Sequence, residues 1–165
     1  RMSMVLYLIR HSLAMDRSDY DGADDLDRPL VAKGIKRAKK LFKVIRSWED
    51  PIELIIYSEA ARSSQTAEIL ADHFPDAQRR CEAWLNPGAR PSELAVKLEE
   101  VAKEGYQSIA LVGHEPELSK LCAHVIGDSR ARLNFTKPSV AVIEYHEGTG
   151  NLVALVGYQH VKEIV

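Results

Sequence analysis

The chain has 165 residues, enough for one domain with a substantial core, residues 1–165, with little room for a second. Apolar residues make up 45% and charged residues 28%, with a formal net charge of −2, which excludes a global electrostatic case for nucleic acid or an anionic membrane. No apolar run approaches the ~20 residues of a membrane span and no secretory leader is evident, so a soluble cytoplasmic protein is expected.

Arg1 ahead of Met2 reads as an added residue, and residues 1–4 as partly foreign to the domain. Val5–Ile9 is a short, bounded apolar run without alternation, the pattern of a strand covered on both faces. Residues 12–31 are polar and rich in Asp, and are expected as a solvated loop. Gly34 opens a helix in which Ile35, Ala38, Leu41, Phe42 and Ile45 recur at helical spacing, with a solvated basic face opposite; Asp50-Pro51 breaks it. Ile52–Tyr57 is a second strand, followed by a helix with Ala67, Leu70, Ala71 and Phe74 on one face and Pro75 at its end.

Arg80–Leu85 is a weak strand candidate, and Ser92 the expected N-cap of a helix carrying Leu94, Leu98, Val101 and Ala102 and closed by Gly105. Ser108–Val112 is a third buried strand. Pro116 suits the first turn of the next helix, whose stripe is Leu118, Leu121, Cys122, Val125 and Ile126. Strands Ser139–Tyr145 and Leu152–Gly157 flank residues 146–151, a hairpin loop longer than the tightest turns. Strands alternating with helices predict an α/β three-layer sandwich, a mostly parallel sheet with helices on both faces and at least one antiparallel C-terminal strand. Cys81 and Cys122 carry no close-spaced metal motif and are expected as small core residues in a reducing compartment.

Three of the buried strands hand over to Arg or His and then to a helix: Arg10-His11, Ser58…Arg62-Ser63-Ser64-Gln65-Thr66-Ala67, and Gly113-His114-Glu115-Pro116. Each block alone has a plainer reading: a structural pair at a strand end, a helix cap with a solvated arginine, a tight turn. Open α/β sheets, however, gather ligands at the carboxyl ends of their strands, so the three blocks together predict one anionic pocket. Arginine suits phosphate because it stays charged and binds two oxygens in a fork. A neutral imidazole offers a lone pair to phosphorus, and a covalent phosphohistidine divides the reaction into two displacements. His114, at a helix entry that favours anions, is read as a phosphate donor, and His11 as the nucleophile. His73, His124, His146 and His160 lack metal-ligand spacing and are read as surface or structural. A metal held by His11, His114 and the loop aspartates is disfavoured because Arg10 and Arg62 would repel it, so neither metal nor cofactor is expected.

These blocks resemble the histidine phosphatase superfamily, with its phosphoglycerate mutase-like fold, over about residues 5–160. Leu8-Ile9-Arg10-His11-Ser12 is similar to the leading Arg-His-Gly motif, Ser58–Ala67 to the second block, and Val112–Pro116 to the third. Asp27-Arg28-Pro29-Leu30…Lys33-Gly34…Ala38, Gly113–Ser119 and the chain length resemble SixA-type phosphohistidine phosphatases within that superfamily. The resemblance implies His11 as phosphoryl acceptor with Arg10, Arg62 and His114 around the phosphate, and a phosphohistidine on a protein, such as a phosphotransfer domain, as substrate. A small-molecule phosphomonoesterase and a non-catalytic phosphate-binding regulator are the alternatives. Ser12 stands where the superfamily carries glycine, a side chain that can orient His11 or crowd the pocket. Glu115 replaces a common asparagine. Glu115, Glu82 and Asp16 are the candidate acids, and none is singled out by spacing. A phosphoramidate needs less acid help than an ester, because its leaving nitrogen is readily protonated.

Overall fold

The computed structural model describes residues 3–48 and 50–164, so the reading of Arg1 and Met2 lies outside the described residues. Six strands form one sheet: β1 (Met4–Arg10), β2 (Leu54–Tyr57), β3 (Gln78–Cys81), β4 (Ser108–Gly113), β5 (Ser139–His146) and β6 (Thr149–Gly157). Their order is β3-β2-β4-β1-β5-β6. β3, β2, β4 and β1 run parallel, and β5 and β6 add the antiparallel edge.

The helices are α1 (Ala32–Arg46), α2 (Ala61–His73), α3 (Pro91–Ala102), α4 (Glu117–Val125) and the short α5 (Tyr158–Val161). The central strands are apolar throughout because both faces are covered. Leu6, Leu8, Ile109 and Leu111 pack with Leu94, Leu98, Leu118 and Leu121 of α3 and α4. Tyr7, Ile9, Ala110 and Val112 pack on the other face with Leu41, Phe42, Ala67 and Leu70 of α1 and α2. Burying each such Leu or Phe contributes about 1.5–3 kcal/mol, so both faces anchor the central strands. Connections through α1 and α2 lead away from β1 on one face and α3 returns on the other. The crevice at the carboxyl ends of β1, β4 and β2 is therefore the topological switch point.

Several local expectations shift. β3 ends at Cys81 and a 3-10 turn spans Ala83–Leu85, because the Glu82 amide makes the last bond to Tyr57 O before the chain turns away. Arg90, not Ser92, is the N-cap of α3, and Pro91 fills its first turn, where a missing N–H costs nothing. Pro116 is the residue before α4 rather than within it. The hairpin turn is tight: β5 and β6 run to His146 and Thr149, and Glu147 and Gly148 both take positive φ, 47° and 86°. Cys122 is buried as expected, whereas Cys81, on the edge strand, is exposed.

α1 starts two residues before Gly34, which lies buried in its first turn. A Cβ at Gly34 would sit 2.2 Å from Leu13 O, so glycine is required where α1 meets the segment after β1. That segment, residues 12–31, is more than solvated loop: Ala14 bridges Leu30, and Asp25–Asp27 form a 3-10 turn capped by Asp24. Among the described residues no helix is long and apolar enough to cross a membrane.

Candidate active site

Register places the two histidines side by side. Arg10 pairs with Gly113 across the β1–β4 ladder, and the His11 amide extends it by donating to Gly113 O at 3.1 Å. His11 and His114 therefore leave adjacent strands at one level, with ring centroids 5.1 Å apart and planes tilted by 55°. On the other side of β4, Tyr57 pairs with Val112, which brings Ser58 Oγ to 2.8 Å from His114 Nε2. α2 is tied to the same edge by its polar residues. Ser63 Oγ donates to Val112 O, and Thr66 Oγ1 accepts from the Ser12 amide. Arg62, in the first turn of α2, is only 3% exposed, which rules out a solvated arginine behind a helix cap.

The hydrogen bonds select protonation states. His11 Nδ1 lies 2.7 Å from Ser12 O. A carbonyl only accepts, so Nδ1 carries the proton and Nε2 keeps a lone pair. Ser58 Oγ accepts from the Ala60 amide. When its hydroxyl donates to His114 Nε2, Nδ1 of His114 holds the proton and becomes a donor for an anion. Burial pushes both imidazoles down to about 3, with Arg62 and Arg10 adding to the shift, so both are neutral at physiological pH.

A pocket of about 310 Å³ opens at this edge. Arg10, Arg17, Arg28, Arg62 and Lys137 line it together with His11 and His114, against the carboxylates of Asp16 and Glu115. Three of the cations, Arg17, Arg28 and Lys137, carried no assigned role in the sequence, and neither did Asp25, which pairs with Arg17, Arg28 and Arg62. The Asp25 carboxylate accepts from Arg28 Nε at 2.9 Å and Arg62 NH2 at 3.2 Å, while its backbone oxygen accepts from Arg62 NH1 at 3.0 Å. Arg17 Nε lies 3.6 Å away. Hydrogen bonding to Arg28 and the charges of Arg62, Arg28 and Arg17 hold the Asp25 carboxyl below its usual range. One carboxylate thus holds Arg28 and Arg62 in place from within the acidic loop. The signal was present as Asp25…Arg28-Pro29-Leu30, but an Asp in an Asp-rich loop has nothing to distinguish it.

The three candidate acids separate. Glu115 and Asp16 line the pocket, and Glu82 lies outside its lining. Burial raises the Glu115 carboxyl, although its Oε1 accepts from the Ser119 amide at 2.7 Å. Ser12 does not crowd the pocket. It is fully buried, its Oγ donates to Gly34 O at 2.6 Å, and its carbonyl orients His11. Among the described residues no cluster of three His, Cys, Asp or Glu could hold a metal ion.

Two neutral imidazoles and several arginines thus meet in one pocket at the switch point of an α/β sheet. Residues 6–86 match the histidine phosphatase superfamily (branch 1). An uncharacterized protein of Picosynechococcus sp. is 33% identical over 138 residues, which cover 83% of this chain and 82% of that protein. The mitochondrial serine/threonine-protein phosphatase PGAM5 of Xenopus tropicalis is 32% identical over 84 residues, 51% of this chain but only 29% of PGAM5. Among solved structures, the protein histidine phosphatase SixA complexed with tungstate superposes with a TM-score of 0.84 at 22% identity, covering 95% of this chain and 99% of that one. Phosphoglycerate mutase of Bacillus anthracis superposes at 0.76 and 15% identity, covering 98% and 96%. The chain belongs to the histidine phosphatase superfamily, branch 1, and its fold is the phosphoglycerate mutase-like fold. Its family makes a phosphorylated compound the substrate class.

Proposed function

We propose that this protein is a metal-independent phosphatase that removes the phosphoryl group from phosphohistidine on a protein through a phosphohistidine intermediate on His11. The observation that carries the reading is the Nδ1–Ser12 O bond. It leaves the Nε2 lone pair of a neutral His11 beside Arg10, Arg62 and His114. In the first step Nε2 attacks phosphorus while the P–N bond to the substrate imidazole breaks; that ring, protonated on its other nitrogen, leaves as neutral imidazole. Arg10, Arg62 and the His114 donor take the charge on the phosphoryl oxygens. Water then attacks the phosphorus on His11, inorganic phosphate departs, and Nε2 regains its lone pair.

A protein substrate is supported by the pocket rim, where Asp16, Arg17, Pro87 and Lys137 are exposed and a projecting side chain can enter. The names of the similar SixA and PGAM5 proteins point the same way. Glu115, raised and pocket-lining, favours a second reading as a small-molecule phosphomonoesterase, since an ester leaves as an alkoxide and needs an acid. The test compares dephosphorylation of a phosphohistidine protein with that of a panel of small phosphate esters, in wild type and His11→Ala and with chelator present. Faster turnover of the protein, abolished by His11→Ala and indifferent to chelator, is expected. Preference for esters would select the second reading, activity surviving in His11→Ala would remove the nucleophile, and inertness toward both would leave a phosphate-binding regulator.

A further inference from the structure

A second cavity, of about 380 Å³, adjoins the phosphate pocket and shares Arg10 and Lys137 with it. Its charge comes from four elements: Arg10 at the end of β1, Arg37 on α1, Lys137 before β5, and Lys162 after α5. No Asp or Glu lines it, and no ion pair joins any of the four to a carboxylate among the described residues. Elsewhere on this surface arginines do find acids, as Arg80 finds Glu104 and Arg79 finds Glu68. The groove is therefore a local concentration of positive charge without ion-pair partners, on a chain of net charge −2, with Glu115 near Arg10 and Asp16 near Lys137 in the adjoining pocket.

Two of its cations are also held in place. The Arg37 guanidinium lies 4.9 Å over the Tyr158 ring, and Arg10 NH1 donates to Phe135 O at 2.6 Å. Both keep a buried Nε with no hydrogen-bond partner. Burial and the nearby Arg10, Arg28 and Arg62 charges depress Lys137, with only Asp16 opposing them. Like charges are gathered here at an electrostatic cost that an anionic guest would relieve.

We propose that this groove is a second anion subsite, which binds the carboxylate side chains flanking the phosphorylated residue of an acidic protein segment while the phosphoryl group occupies the first pocket. The inference rests on the reading of the first pocket as the phosphate site. Arg37 and Lys162 touch only the second cavity, so they separate the two.

The test uses two phosphohistidine peptides of equal length, one with Asp and Glu flanks and one with Asn and Gln in their place. kcat/KM is measured on wild type and on Arg37→Gln/Lys162→Gln, and peptide Kd on the His11→Ala background. Wild type is expected to favour the acidic peptide by about tenfold, about threefold from each of two charge pairs, and the double variant to lose that preference. Lys162→Gln alone, at an exposed side chain, is expected to remove about threefold of it. Ionic strength of about 1 M, where the Debye length is about 3 Å, should erase the preference. Hydrolysis of p-nitrophenyl phosphate, which has no second anion, reports the first pocket alone. Equal use of both peptides by wild type, or a preference that survives in the double variant, overturns the groove. A small bisphosphate that gains from Arg37 and Lys162 when the acidic peptide does not overturns the assigned occupant. If neither peptide is turned over, the Kd values still decide: an acidic preference lost with the two cations upholds the groove while the hydrolytic reading fails.

Discussion

Arg62→Ala offers the sharpest test of the pocket. Two of the five N–H groups of Arg62 go to Asp25, at 3.0 and 3.2 Å, and three remain for the oxygens of a phosphate. A hydrogen bond to a charged group contributes about 1.5–3 kcal/mol. Removing Arg62 should therefore weaken vanadate or tungstate binding by about ten- to 150-fold, at 1.4 kcal/mol per decade. Asp25 keeps its bond to Arg28 in the variant, so its carboxylate is not stranded. Arg62→Lys retains the charge but not the fork and should recover only part of the loss. Isothermal titration with vanadate, alongside circular dichroism to confirm folding, measures the effect. Unchanged affinity in a folded Arg62→Ala would mean that the guanidinium faces only Asp25, and the phosphate assignment would fall.

Three further outcomes follow from the same geometry. The two histidines have folded pKa values near 3 against 6.5 in an unfolded chain, so the unfolded state binds protons the native state does not. The stability they contribute is full above pH 6.5 and lost as pH falls toward 3; in phosphate-free buffer Tm should drop from pH 7 to 5, and less steeply in His114→Asn, with an unchanged slope counting against the buried neutral pair. Glu115→Gln removes the one pocket carboxyl raised by burial, and should slow ester hydrolysis by ~10²-fold or more while sparing phosphohistidine; equal slowing of both would deny it the acid role. Gly34→Ala forces a Cβ to within 2.2 Å of Leu13 O and should cost about 1–3 kcal/mol in urea melts, together with reduced kcat as the His11–Ser12 segment shifts; wild-type stability would show that the segment yields freely.

What the sequence made legible follows from where each residue sits. Arg10, His11, Ser58 and His114 stand at the ends of short apolar runs, and strands so strongly patterned leave little choice of where their next residue emerges. The mostly parallel sheet and the helix stripes were readable for the same reason, except that Ile35, read into the stripe of α1, lies in its first turn and is exposed. The turn between β5 and β6 was not, because Glu147 takes a positive φ that its residue type does not announce. Nor was the depth of Arg62, since an arginine in a helix's first turn looks the same whether it faces water or Asp25.

Asp25 shows why such residues stay hidden and why they matter. It is one acid in a loop of many, more than twenty residues from its nearest partner on α2 in chain order, and nothing periodic marks it. Its role exists only once the loop folds back over the pocket through the Ala14–Leu30 bridge and the 3-10 turn at Asp25–Asp27. There it sets the plane of the Arg62 fork and offsets part of the charge that the pocket collects. In the proposed site a phosphate dianion beside Arg62 would find the guanidinium already oriented, and so lose less entropy in ordering it. In the proposed mechanism the strand ends supply the reacting groups, and the loop supplies their preorganisation. This division explains why the chemistry can be read from motifs while its tuning requires the fold.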